Sequence, residues 1–429
     1  MKLNRQQQPL LQDISQVNIP NIEKLKLDNG TNLWMINTGS QDLVKVQISI
    51  PAGSKYQKQA FIAFFTSKLL KEGSQKYSAA EIAEKLDYYG AYFEAKNTKD
   101  MAYVNIYSLN KHLDAVMQII SDVLLFPSFP DQELQLLIQQ EKQAFAIQLQ
   151  KGKIIAQRNF NQFIFGAESP YGKLGTLADY DAITTPIIKQ FFQEHYIHKA
   201  WHIFVSGKTD QTTINIINKY FGKTGNPLQG KQIEKQISYQ YPNASHHFIE
   251  HKGALQTALK MGTLGLERMH KDYPAYILAQ TILGGYFGSR LMRNIREEKA
   301  YTYGIYAGII HLHQASIFSI SSELGSTIAE DALNEINKEL KTLRTIKASD
   351  EELHLVKNYM AGSLLKSLNG PFALGEMMRM LQENKLEIDY FNEHMNAIQK
   401  TTAEDVLYVA DRYLNESKMI SVLVGKPQG

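Results

Sequence analysis

Two copies of one helical pattern occur far apart in this chain of 429 residues. The first copy starts at Asp131 and reads DQELQLLIQQEKQAFAIQL, and the second starts at Asp350 and reads DEELHLVKNYMAGSLLKSL. Both copies begin with acidic residues and continue with apolar residues at helical spacing, so each predicts a helix. A repeated pattern of this length indicates a duplicated chain whose two halves share one fold.

The segments before the first copy predict strands and helices in a definite order. A turn at Asn29-Gly30 and the alternating stretch VKVQISIPAG together predict a hairpin of half-buried strands. A helix is predicted over 58–72, ending at Gly73, and strand alternation returns over 91–109.

A second helix lies between these segments, where Ser78 and Glu81 form a capping-box pattern. Two helices separated by the turn at 126–130 complete the first half. The second half repeats the order strand, helices, strands and two further helices.

We therefore predict an α+β fold with two homologous domains, each an antiparallel or mixed β-sheet packed with helices. The first domain is expected to cover 1–221 and the second 246–429. The stretch 222–245 is rich in Gly, Asn, Gln and Lys and poor in apolar residues, which is typical of a linker.

The composition excludes several classes of function. The 46 basic and 43 acidic residues are scattered along the chain, so nucleic acid is not expected as a partner. The chain has no cysteine, which excludes thiol nucleophiles and zinc ribbons and leaves His and carboxylates as metal ligands. No long apolar run or export signal is present, so we expect no membrane segment and a cytoplasmic location, or a periplasmic one if a signal had been removed.

One motif that could bind a metal stands at the head of the second half. His247, Glu250 and His251 match the H-x-x-E-H pattern of inverted zinc peptidases. The segment lies between Pro242 and Gly253, which leaves room for a strand and not for a useful helix. In a strand the two imidazoles stand roughly 13 Å apart, too far for one zinc ion. An autonomous zinc hydrolase remains an alternative, with Glu323 or Glu330 at a suitable distance downstream for a third ligand.

Several stretches in order along the chain resemble one family. They include VQISIPAGSKY near the start, FGAESPYGKLGTLADYDAIT at 165–184, LGGYFGSRLMRNIREEKAYTYGIYA at 283–307, and EDVLYVADRYLNESKMISVLVG near the end. Together they resemble the pitrilysin and insulinase superfamily of zinc peptidases, especially the two-domain members related to processing peptidases. The resemblance implies a chamber that admits unfolded peptides.

The resemblance also locates the zinc motif, which this chain lacks. The matching helix has Phe64 and Lys68 where the family has histidines, and Ser67 where it has the catalytic glutamate. The third ligand falls near 144–147, where no acid is present and Glu141 is the nearest. We therefore expect no metal and no cofactor in this chain.

Subunits of this superfamily that lack zinc can supply an arginine and a tyrosine to a partner's active site. The family pattern assigns these roles to Arg296 and Tyr303. The expected partner is a homologous zinc-bearing subunit, which would form a heterodimer with this chain. A structural assembly subunit, like the peptidase-derived core proteins of respiratory complexes, is the other alternative.

Arg290 and the glycines at 284, 285 and 288 are interpreted as structural. The glycines are expected to permit close backbone approach, because the GGYFG run fits no phosphate-binding pattern.

Overall fold

The structure, a computed structural model, describes residues 17–197, 200–223, 237 and 243–427. It contains two β-sheets, of six and five strands, each covered with helices. The predicted α+β class is therefore confirmed. Most of the predicted linker at 222–245 lies outside the described residues. None of the helices in these ranges combines the length and apolar character needed to cross a bilayer.

The sheet of the first half has the order β1-β2-β6-β3-β5-β4. Its strands are β1 (Glu23–Lys26), β2 (Asn32–Asn37), β3 (Leu43–Ile50), β4 (Tyr92–Asn97), β5 (Ala102–Leu109) and β6 (His202–Gly207). The predicted turn at Asn29-Gly30 joins β1 to β2, and Gly30 has the positive φ of 85° that such a turn favours. The predicted hairpin does not extend to β3, because β6 lies between β2 and β3.

The first half has seven α-helices in the described ranges. They are α1 (Ile62–Leu69), α2 (Ala79–Tyr88), α3 (Leu113–Leu125), α4 (Asp131–Gln148), α5 (Gly152–Phe165), α6 (Thr185–Phe192) and α7 (Gln211–Ile217). A 3₁₀ turn continues α1 to Glu72, so that the helical segment ends before Gly73 as predicted. The predicted capping box is also present, because the Ser78 hydroxyl accepts a hydrogen bond from the Glu81 amide.

The sheet of the second half has the order β7-β11-β8-β10-β9. Its strands are β7 (Ser245–Glu250), β8 (Gln256–Leu264), β9 (Thr302–Leu312), β10 (Ala315–Gly325) and β11 (Ile420–Gly425). Only β7 and β11 pair in parallel, and the other pairs are antiparallel. The strands β2-β6-β3-β5-β4 of the first sheet have the same order and directions, so the two halves share one topology.

The second half has six α-helices in the described ranges. They are α8 (Tyr273–Gln280), α9 (Ala329–Thr345), α10 (Asp350–Ser367), α11 (Pro371–Glu383), α12 (Tyr390–Lys400) and α13 (Ala403–Tyr413). The two copies of the repeated pattern form α4 and α10, which have 18 residues each and begin at Asp131 and Asp350. After β10 the described chain has five helices, α9 to α13, where the sequence predicts two.

Each half covers one face of the other half's sheet with a helix. Phe160 and Ile164 of α5 share a buried cluster with Val422 and Val424 of β11. In the opposite direction, α11 packs its methionines 377 and 378 against Trp34 and Phe204 of the first sheet. The two halves are therefore joined through their cores.

This exchange corrects the prediction that β3 is half-buried. Lys45, Gln47 and Ser49, the polar residues of the alternating pattern, are all buried. Glu376 of α11 accepts hydrogen bonds from Lys45 and, at 3.0 Å, from Gln47. Ser49 Oγ donates to Glu383 of the same helix at 2.6 Å. The polar face of β3 thus meets carboxylates of the second half, and not water.

Candidate functional site

The helix α1 carries Phe64, Ser67 and Lys68, the three positions at which the zinc motif is expected. Ser67 is buried, and a 2.8 Å hydrogen bond joins its Oγ to the hydroxyl of the fully buried Tyr196. Burial raises the pKa of Tyr196, so this phenol stays protonated. The Ser67 side chain therefore points into the core of the first half and is used there.

Phe64 and Lys68 lie one turn apart on α1. The Lys68 ammonium stands 5.5 Å from the centre of the Phe64 ring and 3.9 Å from a carboxylate oxygen of Glu141 on α4. A phenyl ring offers zinc no lone pair, and an ammonium group repels it. This part of α1 does not fit a zinc ion, because a positive side chain already faces the nearest acid.

His247 and Glu250 of the H-x-x-E-H motif lie on β7, the edge strand predicted for them, and His251 follows its last residue. The His247 ring stacks on Phe163 of α5 with 3.8 Å between centroids, and its Nε2 contacts Ser245 Oγ at 2.8 Å. His251 Nε2 lies 2.8 Å from the carbonyl oxygen of Gln150. Both imidazoles are therefore occupied, since His247 stacks on the first half and contacts its own strand, and His251 contacts a carbonyl of the first half.

The two acids considered as third ligands lie beside other groups. Glu330 stands 3.8 Å from His246, the neighbour of the motif, and Glu323 stands 4.0 Å from Lys153. Across the described ranges no cluster of three His, Asp or Glu side chains is arranged to hold a metal ion. The motif thus matches in sequence without a matching arrangement in space.

Arg296 lies on the widened helical segment 292–298, which leads into β9. Its guanidinium carbon stands 4.7 Å from the centre of the Phe287 ring, a cation–π contact. Phe287 is itself 66% exposed, so the pair lies at the surface of the second half. Arg296 is partly buried and has no carboxylate partner among the described residues.

Tyr303 lies at the start of β9, the edge strand of the second sheet, and is 93% exposed. Thr302 pairs with Leu324 and Ile305 pairs with Ser322, so Tyr303 and Gly304 together stand opposite one residue of β10. This irregularity is a β-bulge, which turns a side chain away from the regular alternation of the strand. The bulge therefore presents the phenol to solvent.

Two structural predictions near this surface are confirmed. The Arg290 guanidinium binds both carboxylate oxygens of Glu352 on α10, at 2.9 and 2.6 Å. At Gly284 an added Cβ would lie 2.7 Å from the Cβ of Ala307 on β9, so only glycine permits this close approach. The Gly284 contact holds the segment before Phe287 against β9, and the Arg290–Glu352 pair holds the segment that leads to Arg296 against α10.

Some partners of the site residues were not predicted. The sequence carries no signal that Tyr196 meets Ser67, because 129 residues separate them. The bulge does have a signal, since a glycine inside a strand pattern, here Gly304, often marks one. The contact of Phe287 with Arg296 was not predicted either, because only the glycines of the GGYFG run were interpreted from the sequence.

Comparison with known proteins assigns the chain to a family. Residues 34–159 match the model of the insulinase family, peptidase family M16, and residues 182–360 match the model of the M16 peptidase inactive domain. An uncharacterized zinc protease of Bacillus subtilis is 22% identical, with 88% of this chain and 92% of that protein covered. The β subunit of the mitochondrial processing peptidase of Saccharomyces cerevisiae is also 22% identical, with 95% and 92% covered.

Solved structures show the same fold. An M16 inactive domain from Pseudomonas fluorescens superposes with a TM-score of 0.84 at 24% identity, covering 95% of this chain and 99% of that one. A protease from Helicobacter pylori also gives 0.84, at 17% identity, with 96% and 100% covered. The paired sheets and the two matching models lead to one conclusion: this chain belongs to the M16, or insulinase, family of peptidases.

Proposed function

We propose that this chain is the non-catalytic subunit of a heterodimeric zinc endopeptidase. Its partner is a homologous subunit that carries the zinc, and its substrates are unfolded peptides. Arg296 and Tyr303 bind the substrate backbone and the developing oxyanion in the partner's active site.

One observation carries this proposal most directly. The zinc-motif helix has Phe64 and Lys68 facing Glu141 in place of ligands, while Tyr303, which contributes little to the core, is 93% exposed. A buried aromatic contributes to stability, but an exposed one on an edge strand is available for binding. The processing-peptidase relative is itself named as a subunit, which supports a paired assembly.

The chemistry suits the two side chains. Hydrolysis of a peptide bond passes through a tetrahedral oxyanion, which a phenol or guanidinium stabilises by donating hydrogen bonds. An arginine retains its charge at every physiological pH, and its planar fork fits carbonyl and carboxylate oxygens. Packing on Phe287 limits the motion of the Arg296 guanidinium, which lowers the entropy lost on binding.

The test uses the complex purified from the source cell with its partner identified by mass spectrometry. Tyr303→Phe and Arg296→Ala should each lower kcat, by about a hundredfold for a lost oxyanion contact, while the complex remains assembled in size-exclusion chromatography. Matched controls are Tyr92→Phe, on the edge strand β4 of the first half, and Arg293→Ala, exposed one turn before Arg296.

Other outcomes identify the alternatives. If Tyr303→Phe and Arg296→Ala cleave peptides at the unaltered rate in an intact complex, the chain is an assembly subunit without a catalytic contribution. If the chain alone contains one zinc per molecule and loses peptidase activity with His247→Ala, it is an autonomous hydrolase. We expect the chain alone to bind no stoichiometric zinc and to cleave nothing.

A further inference from the structure

A cavity of about 420 Å³ lies in the first half beside the altered zinc motif. Phe61 and Phe64 line it from the start of α1, Arg158 from α5, and Lys99 from the turn between β4 and β5. A volume of this order is within the usual range of roughly 300–1,000 Å³ for sites that bind small molecules or side chains.

Positive charge predominates in this cavity. Lys99, Arg158 and Lys173 line it, whereas Glu168 is the one acid among its lining residues, and Glu168 is exposed. The Lys173 ammonium donates to the carbonyl of Lys58 at 3.3 Å and lies at the rim. The lining therefore carries a net excess of two positive charges.

Lys99 and Arg158 are near enough to repel each other. Burial is the main cause that lowers the pKa of Lys99, and the Arg158 guanidinium lowers it further, while Asp100 acts in the opposite direction. Burial also lowers the pKa of Arg158. Two partly buried cations side by side are unfavourable unless an anion joins them.

The nearest buried acid is already neutralised. A carboxylate oxygen of Asp100 lies 2.9 Å from the Lys55 ammonium, and Asp100 also accepts hydrogen bonds from the Tyr171 hydroxyl and from the amide of His313 at 3.1 Å. In the part of the chain that the structure describes, neither Lys99 nor Arg158 forms an ion pair. The cavity thus has cations that lack a counter-charge.

The cations are held in defined positions. Arg158 stacks on Phe145 with 4.9 Å between its guanidinium carbon and the ring centre, and it donates a hydrogen bond to the carbonyl of Gly175. This leaves other N–H groups of the guanidinium for a ligand, since the side chain has five donors. Phe61 and Phe64 supply an apolar wall beside these donors.

We infer that this cavity binds a carboxylate attached to an apolar group, with Lys99 and Arg158 on the carboxylate and the phenylalanines on the apolar part. This chemistry is found at the C-terminus of a peptide that ends in an apolar residue, and in small free carboxylic acids. The inference does not depend on Arg296 or Tyr303 and concerns this chain alone.

The test is isothermal titration calorimetry on the full chain. The probes are an N-acetylated peptide ending in phenylalanine with a free carboxyl group, the same peptide as its C-terminal amide, 3-phenylpropanoate, and inorganic phosphate. We expect the free-acid peptide to bind, and the amide to bind roughly tenfold or more weakly, because it lacks the charge-assisted hydrogen bonds. Binding of 3-phenylpropanoate comparable to that of the peptide would identify a small acid as sufficient, and its failure would assign the site to peptides.

Variants separate a specific site from general attraction. Lys99→Met should lower the affinity for the free-acid peptide by roughly tenfold or more and leave the affinity for the amide unchanged. The matched control Lys189→Met removes an exposed lysine of α6 and should leave both affinities unaltered. The inference would be overturned if the acid and the amide bound with equal affinity, or if phosphate alone bound. It would also be overturned if the two variants changed the affinity equally, or if no carboxylate bound.

Discussion

At the scale of single residues, the three positions at which the zinc motif is expected have structural partners. Ser67, at the position expected for a catalytic base, forms a buried hydrogen bond with Tyr196. Lys68 places its charge between the ring of Phe64 and the carboxylate of Glu141. The sequence assigns these positions only by resemblance to a family pattern, whereas the structure shows what the residues contact.

The pair of Ser67 and Tyr196 makes a testable contribution to stability. Ser67→Ala should lower the free energy of unfolding by about 1–3 kcal/mol, because it leaves the buried Tyr196 hydroxyl without a partner. Tyr196→Phe should cost less, since a helical serine can turn its hydroxyl to a backbone carbonyl. Urea unfolding of both single variants and the double variant measures the coupling. A double variant whose loss equals the sum of the single losses would contradict the proposed hydrogen bond.

At the scale of elements, helix α11, which crosses from the second half to the first sheet, explains why β3 has a buried polar face. The alternating pattern correctly predicts a strand, but it cannot distinguish water from a polar helix as the neighbour of its polar face. Glu376 and Glu383 of α11 provide that neighbour for Lys45 and Ser49. The close contact between α11 and the first sheet also depends on a small residue at one position.

That position is Gly375, where an added Cβ would overlap Ser206 Oγ and lie 2.9 Å from its Cβ on β6. Gly375→Ala should therefore destabilise the protein by about 1–3 kcal/mol by pushing α11 away from the sheet. Gly362→Ala is the matched control, because this helical glycine of α10 has open space around its Cβ position. The control should stabilise by about 0.4–1 kcal/mol through the unfolded state. Thermal unfolding of both variants measures these changes in stability. If both substitutions destabilised the protein, the contrast between the two glycines would be contradicted.

At the scale of the whole molecule, the halves are similar in topology but not independent. Each sheet has one face covered by a helix of the other half, α5 in one direction and α11 in the other. Separation would expose these apolar faces together with the buried Lys45. Exposure of apolar surface to water is unfavourable, and Lys45 would lose the Glu376 carboxylate that accepts its hydrogen bond.

We therefore expect fragments 1–223 and 243–429 to fold poorly when produced separately. Each fragment should bind a dye specific for exposed apolar surface and unfold without a cooperative transition, whereas co-production should restore a stable complex. Dye fluorescence and thermal denaturation provide the measurements. Cooperative unfolding of either fragment alone, at the temperature of the full chain, would show that the crossing helices are not required.

The sequence by itself determined the duplication, the α+β class and most elements. The copies at Asp131 and Asp350, the capping box at Ser78 and the strand at His247 depend on local periodicity and local hydrogen bonds, which a sequence records directly. It also determined that Phe64 and Lys68 cannot bind zinc, because ligand chemistry belongs to the residue type.

Only the tertiary structure decided how distant segments meet. The insertion of β6 between β2 and β3, the exchange of α5 and α11, and the exposure of Tyr303 at a bulge all depend on contacts between residues far apart in the chain. The same holds for Lys99 and Arg158, which lie 59 positions apart in sequence and line one cavity. Such contacts follow from which apolar faces pack together and which charges are then left unpaired, and a periodic pattern does not specify either partner.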